Sequence, residues 1–157
     1  MSARREYYEP ISVNMQQSHR ELDASDRNFL DAFERCEIAP ENFHHRDHIR
    51  LAYIYLRQHD ADTTLTKMRS GLQRFLVHAG APATKYHETI TRAWLLAVEH
   101  FMNETAPTSS FEEFAAAAPR LFAPGAMETH YTRELLRSDE ARERFVEPDL
   151  QPIPPPK

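Results

Sequence analysis

Three histidines carry the clearest chemical signal in the sequence, because each lies in the predicted first turn of a helix and on that helix's apolar face. His45 and His48 continue the apolar line of FHHRDHIRLAYIYL, and His87 continues that of KYHETITRAWLLAVEHF. One predicted helix separates these segments, so an up-down-up arrangement places both N-terminal ends at the same end of a bundle. We therefore expect the three imidazoles to lie close together.

Imidazoles gathered at one end of a bundle suit a divalent metal ion. A helix N-terminus carries partial positive charge and disfavours a protonated imidazole beside it. The neutral imidazole binds metals, and three histidine ligands with a fourth position open to water or substrate are typical of catalytic metal sites. The sequence thus predicts a metal site of His45, His48 and His87, with zinc as the first choice and iron, nickel or copper as alternatives.

Two neighbours of His87 are candidate catalytic residues. Glu88 could act as a general base or orient a ligand, and the phenol of Tyr86 could donate a hydrogen bond to a bound oxygen. Adjacent side chains on a helix point about 100° apart, so Glu88 would reach the site only from its rim. A carboxylate in the first turn also stabilises the helix dipole, which is a second explanation for Glu88.

The rest of the chain predicts the helices that would hold these side chains. Apolar residues recur at helical spacing, strand-like alternation is absent, and only 3 glycines are present. We predict an all-α fold, namely a four-helix-type bundle with additional short C-terminal helices and extended termini.

Caps, prolines and glycines set the predicted helix boundaries. Asp62 should cap the third helix and Gly80 should end it, while Ser109 and Ser110 open a short helix that ends at Pro119. Trp94, the only tryptophan, should be buried in the fourth helix. The main helices are expected over about 25–37, 45–58, 62–80 and 84–103, and two short ones near 132–137 and 138–146.

The length of 157 residues suits one domain. Residues 1–22 are polar and aperiodic and are predicted to form a flexible arm, and residues 23–147 the helical domain. Residues 148–157 are rich in proline and should form an extended tail, either solvated or packed as a strap.

Charge and composition exclude several classes of partner. The 19 basic and 24 acidic residues give a net charge of −5, and no basic stripe suggests nucleic-acid binding. Cys36, the single cysteine, is interpreted as a small buried apolar residue. No apolar run approaches the roughly 20 residues of a membrane span, and the first residues lack the apolar stretch of a secretory signal. The expected location is the cytoplasm, and the expected partner is a small molecule.

Two classes of function follow from these patterns. The first is a small metal-dependent enzyme, a hydrolase or an oxidoreductase, whose three-histidine site activates water, oxygen or a small polar substrate. Without a metal, His48 or His87 could serve as a general base. The alternative is a metal-free helical module that binds or senses a small molecule in a pocket of histidines and aromatic residues. The sequence leaves the oligomeric state open.

Overall fold

The computed structural model describes residues 21–154, and within that range it contains helices and no strands. This confirms the predicted all-α class. The helices are α1 (Ala24–Glu34), α2 (His45–Gln58), α3 (Ala61–His78), α4 (Glu88–Glu104), α5 (Phe111–Ala117), α6 (Arg133–Arg137) and α7 (Asp139–Glu143). Short 3₁₀ turns connect them at Pro40–Asn42, Ala83–Lys85, Pro119–Phe122 and Met127–Thr129.

The three longest helices form the centre of the molecule. Helices α2, α3 and α4 pack against one another, α1 lies against α2 and α3, and α5 lies against α2. The apolar stripes predicted from the sequence face this centre and bury a continuous core. Its fully buried side chains include Phe33, Ile49, Leu51, Ile54, Leu95 and Phe111.

A second, smaller core joins the C-terminal third of the chain to α4. Ala93 of α4 packs there with Met127 and Tyr131, and the Tyr131 hydroxyl donates to the Val146 carbonyl over 2.8 Å. Thr89 adds to this attachment, because its hydroxyl donates to the Arg144 carbonyl over 2.8 Å. The N-terminal half of α4 is therefore covered by the segment that carries α6 and α7.

Helix capping follows the predicted chemistry with small shifts in position. Asp60 rather than Asp62 caps α3, since its carboxylate accepts from the Thr63 amide over 2.7 Å. Gly80 has a φ of +69°, the left-handed conformation expected of a glycine just beyond a helix end. Ser110 caps α5 as predicted, accepting from the Glu113 amide over 3.2 Å.

Two expectations about α4 need correction. The helix begins at Glu88 rather than near Thr84, because Ala83–Lys85 forms a 3₁₀ turn and His87 is extended with a φ of −132°. Trp94 is half-buried rather than buried, because its ring lines a cavity as well as packing against both cores.

The predicted ends of the chain are only partly within the described range. The arm predicted over 1–22 lies outside it apart from its last two residues, and 155–157 of the tail also lie outside it. The first residues of the tail pack back onto the domain, where the Leu150 amide donates to the His130 carbonyl over 3.0 Å. Between residues 21 and 154, no helix combines the length and apolar character that crossing a membrane requires.

Candidate functional site

The three predicted histidines line one cavity. It lies among α2, α3 and α4, has a volume of about 510 Å³, and includes His45, His48 and His87 in its wall. Most of the wall is apolar, with side chains that include Phe43, Met68, Leu72, Phe75, Ile90 and Trp94. A volume between about 300 and 1,000 Å³ is typical of small-molecule sites.

The start of α2 brings two of these histidines to the cavity. Asp47 fixes this helix end by accepting from the His44 backbone amide over 2.8 Å. His45 lies in the first turn, where its Nε2 is 3.0 Å from the Leu121 carbonyl oxygen and its ring is 4.4 Å from that of Trp94. Nε2 of His45 therefore carries the proton as a donor, and Nδ1 is left without a proton in the neutral ring.

His48, one turn later, lies in apolar surroundings. Its ring meets Phe43 edge-on at 4.6 Å, and neither ring nitrogen has a hydrogen-bond partner among residues 21–154. Burial lowers the pKa of His48 to about 4, with a smaller contribution from the neighbouring His45. His48 is therefore neutral at pH 7 and presents one donor and one acceptor.

His87 is the N-cap of α4, and both of its ring nitrogens are engaged. Nδ1 accepts from the Ile90 amide over 3.1 Å, and Nε2 lies 2.7 Å from the Leu136 carbonyl oxygen, to which it donates. Burial lowers the pKa of His87, and the positive charge of Arg142 acts in the same direction. The side chain therefore holds the start of α4 to the C-terminal segment.

This geometry brings the three histidines to one cavity without forming a ligand set. Within residues 21–154, no group of three or more His, Cys, Asp or Glu side chains is placed to hold a metal ion. A metal at His87 would displace one of its two hydrogen bonds, because each nitrogen has a single lone pair or proton. The metal site stays a prediction from the sequence.

Of the two candidate catalytic residues, Glu88 faces away from this cavity and Tyr86 borders it. Glu88 lines a second cavity of about 690 Å³, which Tyr86 also borders. There its carboxylate pairs with Arg69, whose Nε donates over 3.0 Å, and accepts from the Tyr86 hydroxyl over 2.6 Å. The hydrogen bonds from Arg69 lower the pKa of Glu88. The pKa of Tyr86 is raised mainly by burial and secondly by its hydrogen bond to Glu88. The Glu88 carboxylate and the Tyr86 hydroxyl are thus hydrogen-bonded to each other.

Sequence reasoning predicted aromatic residues around the histidines, Trp94 among them, but did not identify the second cavity or the pairing of Glu88 with Arg69. Arg69 precedes Glu88 by 19 residues on a different helix, so no local pattern pairs them. Phe75, which lines the histidine cavity, was predicted as an inward-facing position of the third helix, and Phe43 was not singled out, although the aromatic residue directly before the two histidines of FHH was a usable signal.

Comparison of the chain with models of known protein families, with curated proteins and with solved structures found no match.

Proposed function

We propose that the protein is a helical module that binds a small, largely apolar molecule in the histidine cavity without a metal ion. The observation that supports this most directly is the cavity itself, about 510 Å³ of space with a mostly apolar wall and a few polar groups. Such a wall favours ligands through burial of apolar surface and selects among them through its polar groups.

His48 supplies the main polar contact in this proposal. Because its ring is neutral and its nitrogens have no partner within the described residues, a ligand group can hydrogen-bond to it without displacing a protein contact. A ligand that leaves those nitrogens buried and unpaired would lose about 1 to 3 kcal/mol per group. The proposal therefore expects an apolar ligand that carries at least one hydrogen-bonding group.

Binding can be followed through Trp94, the only tryptophan, which lines the cavity. Phenylbutyramide, a neutral molecule with an aromatic ring and an amide, serves as the probe. A saturable change in tryptophan fluorescence and a raised melting temperature are expected. The absence of both would overturn the proposal.

Two neighbouring residues of α3 give a matched pair of variants. Leu76 lines the cavity, whereas Val77 is 75% exposed and does not. Leu76→Glu places a charge in the apolar wall and should weaken phenylbutyramide binding about tenfold or more, while Val77→Glu should leave it unchanged. Ala81→Phe, which fills space at the same wall, serves if Leu76→Glu does not fold. Equal affinity in all variants would place the binding elsewhere.

Metal analysis of the untagged protein separates this proposal from the metalloenzyme predicted from the sequence. Mass spectrometry should find no stoichiometric zinc, iron, nickel or copper. One metal ion per chain, lost in both His48→Leu and His87→Ala, would favour the metal site instead.

A further inference from the structure

The charge of the cavity wall selects among apolar ligands. Among the described residues that line it, Lys85 is the one with a full charge at pH 7, and no Asp or Glu is present. Lys85 is the last residue of the 3₁₀ turn Ala83–Lys85 and is exposed, so it lines the cavity where the wall meets solvent. No carboxylate of the described residues forms an ion pair with it.

From this we infer that the ligand class is a small apolar carboxylate, with its hydrocarbon or aromatic part against the apolar wall and its anionic group near Lys85. The inference rests on the proposed function and adds the sign of the ligand's charge. A cationic ligand would meet Lys85 without any compensating acid in the wall. A neutral ligand would gain the apolar contacts but not the attraction to the ammonium group.

The two helices that begin at the cavity do not add a clear preference for either charge. The first turn of α2 contributes His45 and His48 to the wall, and the first turn of α4 contributes Ile90 and Thr91. Both helix N-termini therefore border the cavity, but each first turn also carries a carboxylate, Asp47 in α2 and Glu88 in α4, which offsets the partial positive charge of that helix end. The preference for an anion therefore rests on Lys85.

The test compares three ligands that share one skeleton. Phenylbutyrate is anionic, phenylbutyramide neutral and phenylbutylamine cationic at pH 7, and each is titrated into the full chain with Trp94 fluorescence as the readout. The expected order of affinity is carboxylate, amide, amine. Raising the salt concentration should reduce the advantage of the carboxylate, because exposed charges are screened.

Lys85→Gln is the decisive variant. It should reduce the preference for phenylbutyrate over phenylbutyramide by about three- to fivefold, the range of a partly exposed ion pair. Lys67→Gln is the matched control. It also removes one lysine charge, but Lys67 lies over the Tyr55 ring and does not line this cavity. Lys85→Arg should keep the preference.

The outcomes separate this inference from the proposed function. If phenylbutyramide binds but the carboxylate has no advantage, the ligand class is wrong and the binding cavity stands. If the advantage persists in Lys85→Gln, the placement of the anionic group near Lys85 is wrong. If none of the three ligands changes the fluorescence or the melting temperature, the binding cavity itself is wrong.

Discussion

At the scale of single residues, His48 shows how the cavity controls the state of a titratable group. The ring lies against Phe43 with no hydrogen-bond partner in the described range, and burial lowers its pKa to about 4. In the unfolded chain the same group should titrate near 6.5. The unfolded state therefore binds a proton that the folded state does not, and the fold loses stability as the pH falls from 6.5 towards 4.

The size of this effect gives the first prediction. A pKa of about 4 in the fold against about 6.5 unfolded corresponds to a loss of about 3 kcal/mol between pH 7 and pH 4. His48→Leu should remove that part of the acid sensitivity, as measured by urea melts at a series of pH values. His78→Leu, which changes an exposed histidine, is the control for replacing a histidine by leucine. Parallel curves for parent and His48→Leu would show that the surroundings of His48 do not lower its pKa.

The second prediction concerns the stability that His87 provides through its two hydrogen bonds. His87→Ala leaves the Ile90 amide and the Leu136 carbonyl without their partner and should lower the free energy of unfolding by about 2 kcal/mol. His87→Asn restores a capping oxygen but not the contact to Leu136, so it should recover about half of that loss. Urea denaturation at pH 7 measures both. Unchanged stability of His87→Ala would mean that the side chain is free to serve another purpose.

At the scale of helices, α1 and α3 approach closely at Gly71. A Cβ atom added there would lie 2.8 Å from Cε1 of Phe33, closer than real contacts allow. The Phe33 ring cannot easily move, since it stacks on Phe43 at 5.5 Å and on Phe75 at 5.9 Å. Gly71 thus lowers the helix propensity of α3 but allows the close contact between the two helices.

Gly71→Ala tests whether the close packing against Phe33 outweighs the gain in helix propensity. Alanine improves helix propensity by about 1 kcal/mol, whereas overpacking a buried site costs about 1 to 3 kcal/mol, so a net loss of about 1 kcal/mol is expected in urea melts. Adding Phe33→Leu should make the Gly71→Ala step less destabilising, because it removes the ring atoms that clash. Ser70→Ala, at the exposed neighbouring position, should change stability little. A clear gain in stability for Gly71→Ala would mean that the helices can separate at low cost.

The helices also show which parts of the site were predictable. The spacing of apolar residues located α2 and α3 to within a few residues, because that pattern is local. It placed the start of α4 about four residues too early. For that reason His87 was expected inside the first turn of the helix, as a metal ligand. Inside the first turn its ring would project along the apolar stripe, but as the extended N-cap it turns back to the Ile90 amide. The pairing of Glu88 with Arg69 depends on how α3 and α4 pack, which no local pattern records.

At the scale of the whole molecule, α4 connects two apolar cores. Leu95 and Val98 belong to the main core, and Ala93 belongs to the smaller one with Met127 and Tyr131. Since Trp94 packs against both, the cavity wall depends on both. We expect one cooperative unfolding transition, because Trp94 packs against both cores, so loss of the smaller core would remove part of the packing of a cavity residue.

Tyr131 provides the test of this coupling. Its ring is fully buried and its hydroxyl donates to the Val146 carbonyl, so Tyr131→Ala should cost about 3 to 5 kcal/mol, while Tyr131→Phe should cost about 1 kcal/mol for the hydrogen bond alone. Unfolding followed by circular dichroism, which reports all helices, should coincide with unfolding followed by Trp94 fluorescence in the parent and in Tyr131→Phe. If the C-terminal segment instead unfolds independently, fluorescence should change before circular dichroism in Tyr131→Ala, and the two cores would be separate folding units.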